Sequence, residues 1–256
     1  MGKLPTMADI FPRAAVSVPS WVIPGTYLEN LRFLEDKADV RGVELLFFMY
    51  DDEARRQLDD EWEGIRQFKD RFVFTVHLPD SILPEHEELA ERFDPLARSF
   101  VAHPGPPENA PALASLIADW ERRYPPRSGP PGAPPPSRFL VENTRPGWFE
   151  ALLPHLEGTA GICMDTGHLL LDGKSPADFF KSHRNRIGEI HLHGIDREKA
   201  AQDGRLADHR AVQAGEPWFG DLFPLLREFD GVINTEVFAW EEASAGMESI
   251  KKFAQA

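Results

Sequence analysis

Only one cysteine, Cys163, occurs in 256 residues, so no disulfide framework braces this chain. A reducing compartment, the cytoplasm, is the expected location. No apolar run approaches the ~20 residues that cross a bilayer. The N-terminus, MGKLPTMADIFPR, lacks the apolar core of a signal peptide, and no membrane association is expected. Positive charge is scarce: 28 Lys and Arg face 42 Asp and Glu, a formal net charge of −14. A surface of that sign repels a phosphate backbone, which argues against a nucleic-acid partner. Solvated helix faces account for such acidity, and so do carboxylates gathered in a site where cations offset them. Ser/Gly linkers that would divide the chain are also missing. With 42% hydrophobic residues the chain can fill one large core, so a single domain over residues 1–256 is expected.

Short β-branched and aromatic runs alternate with longer stretches of helical period. The runs are RAAVSVPSWVI, GVELLFFM, RFVFTVHLP, SFVAHPG, RFLVENT, AGICMDTGH, IGEIHLHG and GVINTEVF. Between them lie TYLENLRFLEDKA, DDEARRQLDDEWEGIRQFKD, PEHEELAERFDPLARSF, ENAPALASLIADWERRY and WFGDLFPLLREFD, and EEASAGMESIKKFAQA closes the series. Eight strand-then-helix units in about 250 residues predict an α/β fold, a (β/α)8 TIM barrel. One segment, residues 125–137, breaks the rhythm with Pro and Gly. It reads as a stiff loop before strand five, with a partner-binding polyproline segment as the alternative.

From the third run onward, each apolar run closes on a residue that a core would not choose. His77 closes strand three and His103 strand four. Glu142 closes strand five, Asp165 strand six, His191 and His193 strand seven, and Glu236 strand eight. In a barrel these C-terminal ends converge on the mouth that carries the active site. Glu189, His191 and His193 are spaced by two and share a face, as do Thr75 with His77 and Asn234 with Glu236, leaving Ile190 and Leu192 to face the helices. Singly, each such residue reads as a hydrogen-bonded rim or core group. Collectively they read differently, since six of nine histidines (His77, His103, His168, His191, His193, His209) fall at or after strand ends. Imidazoles with carboxylates, and no clustered thiolates, suit Zn²⁺, Mn²⁺ or Fe²⁺. The aromatic stretch 47–50 and Trp218 with Phe219 pack in the core or cover a large, partly apolar substrate.

HPG at 103–105, ENT at 142–144, DTGH at 165–168, IHLH at 190–193 and TE at 235–236 resemble motifs of the xylose-isomerase-like barrels. That superfamily includes the apurinic endonucleases of family 2 and the sugar epimerases. The resemblance implies that Glu142, Asp165, His191 and Glu236 hold a common divalent metal. It implies that His77 and His103 add a second ion, and that His168 with Asp208 and His209 adds a third. One departure stands out: Asp208 and His209 are adjacent, where the endonucleases have Asp-x-His, so the third ion is the less secure and His168 touches either metal or substrate. The whole chain resembles more closely the cobamide-remodelling phosphodiesterases, through YLENLRFLEDKADVRGVELLFF, FTVHLP, CMDTGHLLL, IHLHGID followed by DH, and TEVF. That implies hydrolysis of the nucleotide-loop phosphodiester of a cobalamin-type cofactor by metal-activated water, with two or three ions.

Glu142, Glu236 and His168 are the expected catalytic residues. His193 is expected to contact substrate or to support a ligand, against a plain rim hydrogen bond. The alternative function is a sugar or sugar-phosphate isomerase or epimerase with one divalent metal and Glu142 and Glu236 as acid and base. A barrel that binds a ligand without turnover is the third. In each case the partner is a small molecule, a cobamide or a phosphorylated sugar, and the oligomeric state stays open.

Overall fold

The computed structural model describes residues 4–126, 137–203 and 207–256. Eight parallel strands close in chain order into a barrel: β1 (Ala15–Pro19), β2 (Gly42–Leu46), β3 (Val73–His77), β4 (Ala97–Ala102), β5 (Phe139–Glu142), β6 (Gly161–Asp165), β7 (Ile187–His191) and β8 (Val232–Asn234). All eight expected strands are present, and the expected (β/α)8 architecture is the observed one. The expected Pro-rich loop falls almost wholly on residues 127–136, outside the described residues. Among the described residues no helix is long and apolar enough to cross a membrane.

Strand alternation sorts the side chains into two cores. Outward-facing Val16, Val43, Phe74, Phe100, Val141, Ile162, Ile190 and Ile233 are buried against the helices in one large apolar cluster. That face supplies most of the burial that drives folding, about 1.5–3 kcal/mol for each fully buried large aliphatic or aromatic side chain. The inward face is different. Val101, Leu140 and Cys163 form a small separate apolar plug on β4, β5 and β6, and burial pushes the Cys163 thiol up. Around the plug, the interior is polar. Thr75 Oγ1 and Ser99 Oγ donate to the two oxygens of Glu189 at 2.9 and 3.0 Å, and Asn234 Nδ2 donates to Glu44.

Helices form where capping and an apolar stripe coincide. Asp51 caps the helix Asp52–Arg66, accepting from the backbone N–H of Glu53 and Ala54 at 3.0 Å each, and Leu58 and Ile65 are buried on its inner face. The helical pattern expected over 84–100 stops at Phe93, and β4 begins at Ala97. Pro95 explains the break, because it has no N–H to continue the ladder. The short helices that escaped the pattern reading include Thr166–Leu171 and Pro176–His183. Both are shorter than the periodicity window, yet the first positions His168.

Candidate metal centre

Each expected ligand residue lies at the C-terminal mouth. His77, Glu142, Asp165 and His191 are the last residues of β3, β5, β6 and β7, and Glu236 follows β8 by two positions. His103 follows β4 directly, and His193 follows β7 by two. Asp165 also caps the helix Thr166–Leu171: its Oδ1 accepts from the N–H of His168 at 2.7 Å, which turns that imidazole toward the mouth. The ENT and DTGH motifs brace one another across neighbouring strands. Asn143 Oδ1 accepts from the N–H of Asp165 at 2.9 Å, and its Nδ2 donates to the Asp165 carbonyl at 3.0 Å. Thr166 ties DTGH to the next strand, donating to the His193 carbonyl at 2.7 Å and accepting from the His193 N–H at 3.0 Å.

Two buried carboxylates gather the imidazoles. Glu142 Oε2 lies 3.3 Å from His77 Nε2 and 3.1 Å from His103 Nε2. Its other oxygen lies 3.6 Å from His168 Nε2 and 3.9 Å from His191 Nδ1. Glu236 Oε2 lies 3.1 Å from His191 Nδ1, 3.7 Å from His193 Nε2 and 3.5 Å from His209 Nε2. Ligand atoms about 2.0–2.1 Å from one tetrahedral ion stand about 3.4 Å apart, so several of these separations match edges of a coordination polyhedron. Three sets at the mouth each bring their ligand atoms within 4.8 Å of one another: His77, His103 and Glu142; Glu142, Asp165 and His191; His193, His209 and Glu236.

The chemistry of the donor set fits divalent cations on a further ground. Both ring nitrogens of His191, Nδ1 of His168 and Oε2 of Glu236 are buried without a hydrogen-bond partner. Such atoms are costly in a dry interior unless something satisfies them. His191 Nδ1 and Glu236 Oε2 face one another at 3.1 Å without closing a hydrogen bond, and a cation between an imidazole lone pair and a carboxylate would satisfy both.

The electrostatics follow from this crowding. Burial alone would raise Glu142, but His103, His77 and His191 around it hold its carboxyl well below the usual range. Glu236 is held down likewise by His191 and His209. Burial alone would lower His103, yet Glu142 and Asp80 raise it to about 10. His209 is raised against burial to about 11 by Asp208 and Glu236.

Asp208 and His209 do reach the mouth despite their adjacency. Asp208 Oδ1 lies 3.0 Å from His209 Nδ1 and its Oδ2 3.9 Å from His168 Nδ1. His209 is the one non-glycine with positive φ, 54°, among the described residues. That left-handed turn costs order 1 kcal/mol or more and lets adjacent residues point to one site without the Asp-x-His spacing. The His209 N–H donates to His193 Nδ1 at 3.0 Å, leaving Nε2 to donate to Asp165 Oδ2 at 2.9 Å. His193 therefore has the geometry of a group that orients Asp165.

Trp218 and Phe219 are buried in the core at the start of the helix Pro217–Leu226, the packing role among the two expected of them. Two features were not read from the sequence. Glu44 of β2 was not anticipated. Its Oε1 lies 3.2 Å from His191 Nε2, beneath the mouth, and Glu44, Glu189 and His191 form a fourth close set. Burial and the neighbouring Glu44 charge raise Glu189 to about 8. Asp80 was also missed, 3.2 Å from His103 Nδ1. The signal for Glu44 was present as a lone carboxylate inside GVELLFF; Asp80 sits in an ordinary loop and carried none.

Several solved structures share this barrel. The structural neighbours are xylose-isomerase-like TIM barrels, sugar epimerases and isomerases together with endonuclease IV. A D-tagatose 3-epimerase-like protein is 18% identical, with a TM-score of 0.63 over 94% of this chain and 97% of that one. The IOLI protein with a bound zinc atom is 15% identical, with a TM-score of 0.63 over 94% and 95%. Endonuclease IV from Thermus thermophilus is 17% identical, with a TM-score of 0.59 over 94% and 99%. At these identities the likeness is one of fold. No protein-family model matches the chain, and no curated protein sequence matches it.

Proposed function

We propose that this chain is a divalent-metal-dependent phosphodiesterase acting on a small molecule, with two or three Zn²⁺, Mn²⁺ or Fe²⁺ ions at the barrel mouth. One observation carries the reading: the two oxygens of Glu142 face different imidazoles, Oε2 toward His77 and His103, Oε1 toward His168 and His191. A carboxylate so divided is suited to bridge two ions. His77 and His103 would complete one site, Asp165, His191 and Glu236 a second, and His168, Asp208 and His209 a third. Ions held there supply Lewis acidity toward a phosphoryl oxygen and lower the pKa of water from about 15.7 toward 7. The chain's own groups do the rest. Glu142 and Glu236, held anionic by their histidines, keep the site able to take cations, and His193 fixes the orientation of Asp165. His168 lies between Glu142 and Asp208, where it can face the substrate or an ion. The cobamide as substrate rests on the sequence motifs alone.

A second reading is favoured by structural neighbours that include a D-tagatose 3-epimerase-like protein, a 3-keto-D-glucoside 4-epimerase and a sugar phosphate isomerase/epimerase. Here Glu142, Asp165, His191 and Glu236 would hold one ion, and the two glutamates would move a proton on a sugar or sugar phosphate. The readings part at His77 and His103, which a one-ion isomerase does not need. Metal-loaded protein incubated with adenosylcobalamin is expected to release the lower nucleotide, and His77→Ala is expected to slow that release about a hundred-fold or more. Isomerisation of a ketose or ketose phosphate, untouched by His77→Ala and without nucleotide release, would establish the second reading instead.

A further inference from the structure

The large hydrophobic side chains exposed on the described surface all stand at one place. Trp21, Met49, Leu83 and Phe238 are 39, 74, 48 and 41% exposed. They lie in the loops that follow β1, β2, β3 and β8, four consecutive strands of the closed barrel. Half-buried Phe48 joins this arc to the ligand cluster. Its ring meets Trp21 edge-on at 5.7 Å and Phe238 at 6.5 Å between centroids. On its other side it meets His77 at 4.5 Å and stacks on His103 at 6.3 Å. Phe238 lies 4.8 Å from His209, so the arc touches the histidines at both ends of the cluster.

The loops that carry these rings are tied together. The Trp240 N–H donates to the Val22 carbonyl at 2.8 Å, linking the loops after β8 and β1, and the Asp80 N–H donates to the Phe48 carbonyl at 3.3 Å, linking those after β3 and β2. A fixed apolar shelf beside a polar cluster, in a chain of net charge −14, favours a ligand with two unlike parts. Exposed apolar surface concentrated in this way marks a binding site more often than it marks chance.

We infer that the Trp21–Phe48–Phe238 arc is a subsite for a planar aromatic group carried by the phosphate ester that occupies the metal cluster. The inference rests on the phosphodiesterase reading for the phosphate half and stands on the arc for the aromatic half. A ring laid on Trp21 and Phe238 removes apolar surface from water and gains edge or offset contacts with the rings already there. A free sugar can lay only its C–H face on such a shelf and buries less apolar area there than a planar aromatic group does.

The test compares 1-naphthyl phosphate with methyl phosphate by calorimetric titration of the metal-loaded protein. The expected result is about ten-fold tighter binding of the naphthyl ester, falling to under about three-fold in Trp21→Ala/Phe238→Ala, with methyl phosphate affinity unchanged. Both side chains are partly exposed, and a circular-dichroism melt checks that the variant folds; Phe238→Leu, which keeps apolar bulk but no ring, is expected to lie between. Equal affinity of the two esters in the parent protein overturns the subsite. So does an aryl preference that survives the double substitution, or a double variant whose only change is its sedimentation, which would make the arc a self-association surface. Hydrolysis of bis(p-nitrophenyl) phosphate is followed in parallel: aryl preference without turnover leaves the subsite standing and removes the phosphodiesterase reading.

Discussion

Glu44 acts on the mouth from below, and that position gives it a testable part. Its Oε1 is 3.2 Å from His191 Nε2, while His191 Nδ1 faces Glu236 at 3.1 Å. A carboxylate on the far nitrogen of a ligating imidazole holds the proton there and the lone pair toward the metal. Glu44→Ala is expected to weaken metal affinity about 10- to 100-fold, read by competition with a chelator; unchanged affinity would make Glu44 a bystander. Protons supply a second handle on the same residues. In the metal-free protein His103 and His209, raised to about 10 and 11 by the carboxylates beside them, each carry a proton at pH 7. Ligation needs neutral imidazole, so loading at pH 7 is expected to release protons from His103 and His209 and also from His191, raised well above its ordinary value against burial by Cys163, Glu236 and Glu44, and to weaken as pH falls. Calorimetric titration in two buffers of different ionisation enthalpy counts them, and no buffer dependence would contradict the assignment. The His103 and His209 shifts stabilise the metal-free fold. Their folded-state pKa values lie above the unfolded value near 6.5, so the contribution is full below about pH 6.5 and is lost as pH rises through about 10 to 11.

At the scale of elements, the strand between Gly161 and Asp165 and the helix after it show what a motif does and does not disclose. Strand ends were legible because packing alone rarely places a polar residue at the close of an apolar run, and the repeated unit made the barrel legible with them. Glu44 was obscure because a lone carboxylate in an apolar run has the same appearance whether it faces in or out. Trp218 and Phe219 were ambiguous because an aromatic pair at a helix start serves core and cleft equally. The Gly of DTGH was opaque for another reason. Gly167 has ordinary helical φ, but a Cβ there would collide with the His193 ring, a neighbour far along the chain that no local pattern reveals. Gly167→Ala is therefore expected to displace His193, costing about 1–3 kcal/mol by overpacking and weakening metal binding, both read from thermal melts with and without metal. Asp51→Ala is the contrasting case. Losing that cap costs about 1 kcal/mol, since two backbone donors go unsatisfied at the head of Asp52–Arg66. Turnover of the folded enzyme should stay as it was, and an activity loss larger than the stability loss would mean that the helix reaches the mouth.

For the molecule as a whole, charge and fold pull the functional reading apart from one structural neighbour. Endonuclease IV shares the architecture, but this chain carries a formal charge of −14. Neutralising several phosphates of a duplex needs Lys and Arg in numbers that such a surface opposes. Fluorescence-anisotropy titration with a labelled duplex at about 0.15 M salt is expected to show no binding at micromolar protein, and saturable binding would reopen the nucleic-acid reading. The central claim is that the mouth holds more than one ion, with Glu142 between them. Metal analysis of the purified protein, alongside His77→Ala and His103→Ala, tests it most directly. Two or three equivalents in the parent protein, with one lost in each variant while another remains, is the predicted result. A single equivalent, unchanged by either substitution, would contradict it.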